Sequence, residues 1–182
     1  MPANTARGFP YPLGTDPLSQ GDDTIHSLAS YLDANVPKYG DATDPNFAKA
    51  WRSLTTSIPN AGTALMSWDQ KAWDPTNIIG VGAVTRITFA VAGRYLVVMS
   101  LGFTANATGY RQALVLLNGT TSILRVQQMA ANGATHVMGG SIEYGFAVND
   151  YIELQGGQNS GAALTTTGGI DMTSMSVRRI GP

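Results

Sequence analysis

A chain of 182 residues with a net charge of −1 has room for one ordinary domain and a short appendage, and it offers no basic field to attract nucleic acid. Hydrophobic residues make up 43% and charged residues 13%, and the charged share is about half the roughly 25% of an average globular domain, so an intrinsically disordered chain is excluded. There is no cysteine, which removes disulfides and thiolate metal sites, and no apolar run approaches the ~18 residues of a membrane span.

So low a charge suits a protein whose faces are covered by copies of itself or by a larger assembly. It equally suits a β-rich domain dressed in Ser, Thr, Asn and Gly. The stretch from Met1 to Leu13 contains Arg7 but no apolar core segment, so it does not read as a signal peptide. The expectation is synthesis in a cytoplasm, with any outside location reached by another route. Proline then divides the chain: eight prolines lie between Pro2 and Pro75, and the next is Pro182. Proline cannot donate to a β-ladder, so the proline-free stretch is where paired strands should sit.

In chain order, residues 1–21 read as an extended attachment arm, with Phe9-Pro10-Tyr11-Pro12 alternating aromatics and prolines. Residues 22–39 read as a short helix. Asp22 and Asp23 sit at its N-terminus, and Ile25, Leu28 and Leu32 form one apolar stripe. Such a helix is too short to stand alone. Its stripe must pack on the protein's own domain or on sister helices in a trimeric bundle. Residues 40–49 are expected as a linker. Phe47, Ala50, Trp51 and Leu54 have helical spacing, but Trp51–Ser57 is rich in Thr and reads better as a first strand.

A β-sandwich is expected over 50–182, with strand signals at short intervals. They fall on Thr63–Trp68, Val84–Val91, Arg94–Phe103, Tyr110–Leu117, Thr121–Gln128, Thr135–Phe146, Tyr151–Gln155 and Met172–Ile180. Asn118-Gly119 is the strongest hairpin signal in the chain. Ser160–Gly169 reads as a long polar loop. The run Tyr95-Leu96-Val97-Val98-Met99 is apolar on both faces, which requires cover on both sides.

Several of these pieces, in order, resemble the jelly roll shared by tumour necrosis factor and the globular heads of complement C1q. They are Ser57-Ile58-Pro59-Asn60, Ile87-Thr88-Phe89 with Ala92-Gly93-Arg94-Tyr95, Tyr110-Arg111-Gln112 through Asn118-Gly119, and Asp150 to Gln155. The last strand, Met175-Ser176-Val177-Arg178-Arg179, departs from the aromatic-Gly-aromatic ending of the animal C1q heads. The front end, Arg7-Gly8-Phe9-Pro10-Tyr11-Pro12-Leu13-Gly14 followed by Gly21-Asp22-Asp23-Thr24-Ile25, resembles minor tail proteins of bacteriophages of actinobacteria.

The resemblance implies an all-β, C1q/TNF-like head in a homotrimer, docked through residues 1–40 to other virion tail proteins. Trimer-interface candidates are Ile25, Leu28, Leu32, Tyr95, Val97, Met99 and Phe103. Host envelope glycans are the candidate ligand, with loop residues Asn106, Tyr110, Asn132, Gln158 and Asn159 as candidate contacts. The alternatives are a secreted bacterial lectin-like trimer and a capsid decoration protein.

The sequence carries little chemistry. His26 and His136 are the only near-neutral proton carriers, and neither lies in a nucleophile motif. Asp150 and Glu153 could pose as a carboxylate pair, but a turn and an alternating strand suggest solvated positions. No cofactor, no metal, no enzymatic activity and no membrane insertion are expected.

Overall fold

The computed structural model describes residues 3–4, 10–11, 25–31, 47–75, 77–79, 84–130 and 134–181. The chain divides into two compact units, Met1–Asp44 and Pro45–Pro182.

In the first unit, strands β1 (Ala3–Asn4) and β2 (Pro10–Tyr11) pair antiparallel. Both strands lie within the segment read as an extended arm. Helix α1 covers 25–31, with Ile25 exposed and Leu28 half-buried. Leu32, and both ends of the expected helix, lie outside the described residues.

The second unit is a two-sheet sandwich. Its strands are β3 (Phe47–Trp51), β4 (Ser57–Ile58), β5 (Gly62–Leu65), β6 (Gln70–Trp73), β7 (Arg86–Thr88), β8 (Gly93–Phe103), β9 (Tyr110–Leu117), β10 (Thr121–Met129), β11 (His136–Phe146), β12 (Tyr151–Gln158), β13 (Leu164–Thr167) and β14 (Ser174–Gly181). One sheet runs β6-β3-β14-β8-β11, with β13 continuing beside the far end of β8 and β4 beyond it. The other runs β10-β9-β12, and both β5 and β7 pair along the remaining edge of β12.

The first strand begins at Phe47, inside the stretch expected as a linker. Its buried members are Ala48 and Ala50, whose small side chains conceal the period-two pattern and leave a spurious helical spacing. Strand β13 lies inside the stretch expected as a polar loop. Its sequence is Leu164-Thr165-Thr166-Thr167, and two of those side chains, Leu164 and Thr166, are buried.

The core lies between the sheets. Strand β8 supplies Tyr95, Val97, Met99, Leu101 and Phe103, all buried, against Val115 of β9 and Ile152 and Leu154 of β12. At one end Phe89 stacks on Phe146 at 3.9 Å between centroids and meets Tyr95 edge-on at 4.7 Å. The Tyr95 hydroxyl donates to the Val91 carbonyl at 2.9 Å, which satisfies the one polar atom carried into this cluster.

Sheet packing leaves no room at Gly156 on β12. A Cβ there would stand 2.7 Å from Ile58 Cδ1 and 3.0 Å from Leu101 Cδ2. Gly156→Ala is expected to destabilise the sandwich by about 1–3 kcal/mol, because the extra carbon forces core side chains off their rotamers. Urea unfolding of the variant beside the native chain measures it; an unchanged midpoint would mean that the two side chains yield freely.

Candidate assembly and recognition surfaces

The alternation of β8 decides what is available on the surface. Partners across an antiparallel ladder share a face. With Tyr95, Val97, Met99 and Phe103 turned inward, Leu96 and Val98 point outward. Two rows cross this outer face: Phe47, Arg178, Leu96 and Glu143, then Lys49, Ser176, Val98 and Ser141. Val98 is 41% exposed and Leu96 half-buried.

Four expected interface residues are therefore corrected. Tyr95, Val97, Met99 and Phe103 are between 0% and 4% exposed within a single chain and cannot face a partner. A strand that is apolar on both faces does not reveal which parity turns inward.

The cover expected for the outer face is partly supplied by the chain itself. Residues 168–173 lie over the far half of β8: the Ser100 hydroxyl donates to the Met172 carbonyl at 2.9 Å, and a Cβ on Gly102 would meet Thr167 Oγ1 and Met172 Cβ. Among the described residues, the half bearing Leu96 and Val98 stays open.

Edge strands β10 and β11 close one side of the core, and the apolar side chains along their seam are packed against it while staying half-exposed. Leu124 and Val126 of β10 face Ile142 and Tyr144 of β11, all half-buried. A Cβ on Gly140 would stand 3.0 Å from Val126 Cγ2 and 3.4 Å from Leu124 Cδ2, so the strands come close here. His136 Nε2 and Gln128 Oε1, 2.7 Å apart, bridge the two edges at one end. His26 is exposed on α1.

Four of the candidate glycan residues, Asn106, Tyr110, Gln158 and Asn159, gather at the end of the sandwich opposite Phe47, but most of their polar side-chain atoms serve the backbone. Gln158 is fully buried; its Nε2 donates to the carbonyls of Ile58, Pro59 and Ala162, and its Oε1 accepts from Ser160 N. It is a clip between loops and not a ligand contact, a correction that only the tertiary structure could make. Asn159 Oδ1 accepts from Tyr110 N at 2.6 Å, and Asn106 Oδ1 from Thr108 N at 2.8 Å. Asn132 lies outside the described residues.

One residue that the sequence reading passed over organises this end. Arg111 is fully buried, and its guanidinium donates to the carbonyls of Asn106, Thr108 and Tyr110. Burial pushes its pKa down. The three carbonyl dipoles hold the 106–110 loop against the buried charge. Only the start of a strand carrying Arg among apolar residues hinted at it.

Glu153, expected to be solvated, is buried. It accepts from the Thr85 hydroxyl and pairs with Arg86 Nε at 3.4 Å, while that guanidinium lies 4.0 Å over the Tyr151 ring. Asp150 instead accepts from Asn118 Nδ2 at 2.9 Å and Ala147 N at 2.8 Å. These bonds, the Asn118 side chain first and the Ala147 amide second, hold its pKa below the ordinary aspartate value. The folded carboxyl thus binds its proton less readily than the unfolded one. Its stabilisation is complete above the unfolded pKa and is lost as pH falls through the folded pKa. Thermal melts on descending from neutral pH are expected to fall less steeply below about pH 4 for Asp150→Ala than for the native chain; parallel curves would refute the linkage.

Among the described residues, no group of three or more His, Asp or Glu side chains is placed to hold a metal ion, and no helix is long and apolar enough to cross a membrane.

The strand order and the placement of the core have counterparts among solved structures. Eiger TNF from S. frugiperda superposes with a TM-score of 0.58 at 9% identity, covering 75% of this chain and 92% of that one. Murine APRIL at pH 5.0 gives 0.60 at 12% identity, over 74% and 98%. The globular domain of zebrafish complement 1qA gives 0.52 at 12%, over 74% and 97%. The fold is a jelly roll of the TNF and C1q type. No protein-family model matches the sequence. An uncharacterized protein of Acanthamoeba polyphaga mimivirus is 31% identical over 122 residues, which is 62% of this chain and 51% of that protein. The jelly-roll chain thus spans about half the length of that viral relative.

Proposed function

We propose that the chain is a structural protein of a virus particle, of the phage minor-tail type, that assembles as a homotrimer and displays its jelly roll as a head. Residues 1–40 dock it to other virion tail proteins, at a tail tip or in a fibre-like component. The trimer reading rests on two partly exposed regions of one chain: the outer face, where Leu96 and Val98 lie among Lys49, Arg178 and Glu143, and the β10/β11 edge, where Leu124, Val126, Ile142 and Tyr144 are half-buried. Two different patches that match each other make a head-to-tail contact, and such a contact closes into a ring when the rotation permits.

Three further observations support the reading. The charged share is 13%, the N-terminal unit is compact in itself, and the relative from mimivirus is viral. The chain enters the sandwich at Phe47, which pairs with Arg178 and thus lies at the end where β14 leaves. The loops with Asn106, Tyr110 and Asn159 are at the other end. In this reading that end faces the host, with envelope glycans as its ligands, and the protein works by display and not by catalysis.

Light scattering of the purified chain is expected to return three times the 19.1 kDa of one copy. A single-copy mass at micromolar concentration would overturn the trimer. Removing residues 1–40 is expected to give particles that lack the protein; normal occupancy by the truncated chain would overturn the docking role.

A further inference from the structure

The Asn118-Gly119 turn holds a reactive dipeptide in a conformation that blocks its reaction. In an open chain the Gly119 nitrogen attacks Asn118 Cγ: a C–N bond forms, the Cγ–Nδ2 bond breaks, and ammonia leaves with the proton of the attacking nitrogen. Water then opens the resulting succinimide on either side, giving aspartate or isoaspartate. Glycine permits this because it has no side chain to obstruct the ring.

In the folded chain the carboxamide is held at both ends. Asn118 Nδ2 donates to Asp150 Oδ1 at 2.9 Å, and Oδ1 accepts from Tyr151 N at 3.0 Å. Asn118 N also donates to the Tyr151 carbonyl at 2.9 Å, and Ala147 N fixes the other Asp150 oxygen at 2.8 Å. The turn is primed, with φ of 50° at Asn118 and 76° at Gly119. Ring closure requires the carboxamide to swing toward Gly119 and break both of its bonds. Asn118 is itself solvent-exposed, so water is present and only the geometry withholds the reaction.

We propose that Asn118 is a deamidation site held shut by Asp150, opened when the β9–β10 hairpin loosens. The reaction damages the turn that had restrained it. Its aspartate product places a second carboxylate against Asp150 and removes the donor that Asp150 needs. Its isoaspartate product adds a main-chain carbon to the turn between Leu117 and Thr121 and displaces the ladder from that pair outward. Either product loosens the hairpin that borders the apolar seam.

The dipeptide recurs at Asn132-Gly133 and provides an internal reference. The full chain is incubated in warm, mildly alkaline buffer, native and in denaturant, beside Asp150→Ala in native buffer. Peptide mapping by mass spectrometry follows both sites. In denaturant the two sites should react alike. In the native chain Asn118 should react at least about tenfold more slowly than in denaturant, because only locally opened molecules react. Asp150→Ala should accelerate Asn118 and leave Asn132 unchanged. A native rate at Asn118 within twofold of the denatured rate, or no acceleration in Asp150→Ala, overturns the proposal. If Asp150→Ala fails to fold, Asn118→Asp supplies the product directly, and its melting temperature should fall at neutral pH; an unchanged melting temperature would overturn the proposal as well.

Discussion

Phe103→Ala is expected to cost about 3–5 kcal/mol of folding stability. The ring is fully buried at the far end of β8, where its Cζ lies 3.5 Å from the position a Gly156 Cβ would take, in a cluster that includes Ile58 and Leu101. Removing it deletes the transfer energy of the ring and leaves a cavity that a two-sheet core closes poorly. A domain of this size holds about 5–15 kcal/mol in total, so much of its margin would be lost. The urea midpoint should fall sharply with little change in slope. The same experiment separates the two placements of Phe103. An interfacial phenylalanine would yield a folded single copy, whereas a core phenylalanine yields a weakened fold, and a stable single-copy variant would return Phe103 to the interface.

Val98→Glu should do the reverse. The side chain has the parity opposite to the core residues Val97 and Met99, is 41% exposed, and is set between Ser176 and Ser141 on its neighbouring strands. In a single copy a glutamate there is solvated, and the fold should change by no more than about 0.5 kcal/mol. In the proposed trimer it becomes a charge taken out of water, with Lys49 and Arg178 on the same face but neither directly opposite it, a defect of up to about 3–5 kcal/mol where they do not compensate it, repeated in each copy. Light scattering should therefore report single copies with an unchanged circular dichroism spectrum. A trimer that survives the substitution would remove this face from the interface. It would leave the trimer itself to the mass of the native chain, so the two ideas fail separately.

The sequence alone carried the class of the fold. Alternation at Ile152 and Leu154, the proline-free run after Pro75 and the Asn118-Gly119 turn are local signals, and each became the strand or hairpin it indicated. Local signals persist because period-two burial and a primed turn are properties of a few adjacent residues. Short elements with small or polar cores escaped it: β3 hides behind Ala48 and Ala50, and β13 behind its threonines.

Tertiary structure decided what the surfaces are. Which parity of β8 turns inward depends on the sheet it faces, so Tyr95 and Phe103 went to the core and Leu96 and Val98 to the outside. The partial cover of that outside comes from residues 168–173, some seventy positions away along the chain. Gln158 and Glu153 looked like solvated polar groups and are buried because partners remote in sequence satisfy them: the Ile58 carbonyl is one hundred positions from Gln158, and the Thr85 hydroxyl is sixty-eight from Glu153. A polar side chain is free to bind a ligand only if the fold leaves its hydrogen bonds unspent, and that is a property of the packed chain, not of the residue type.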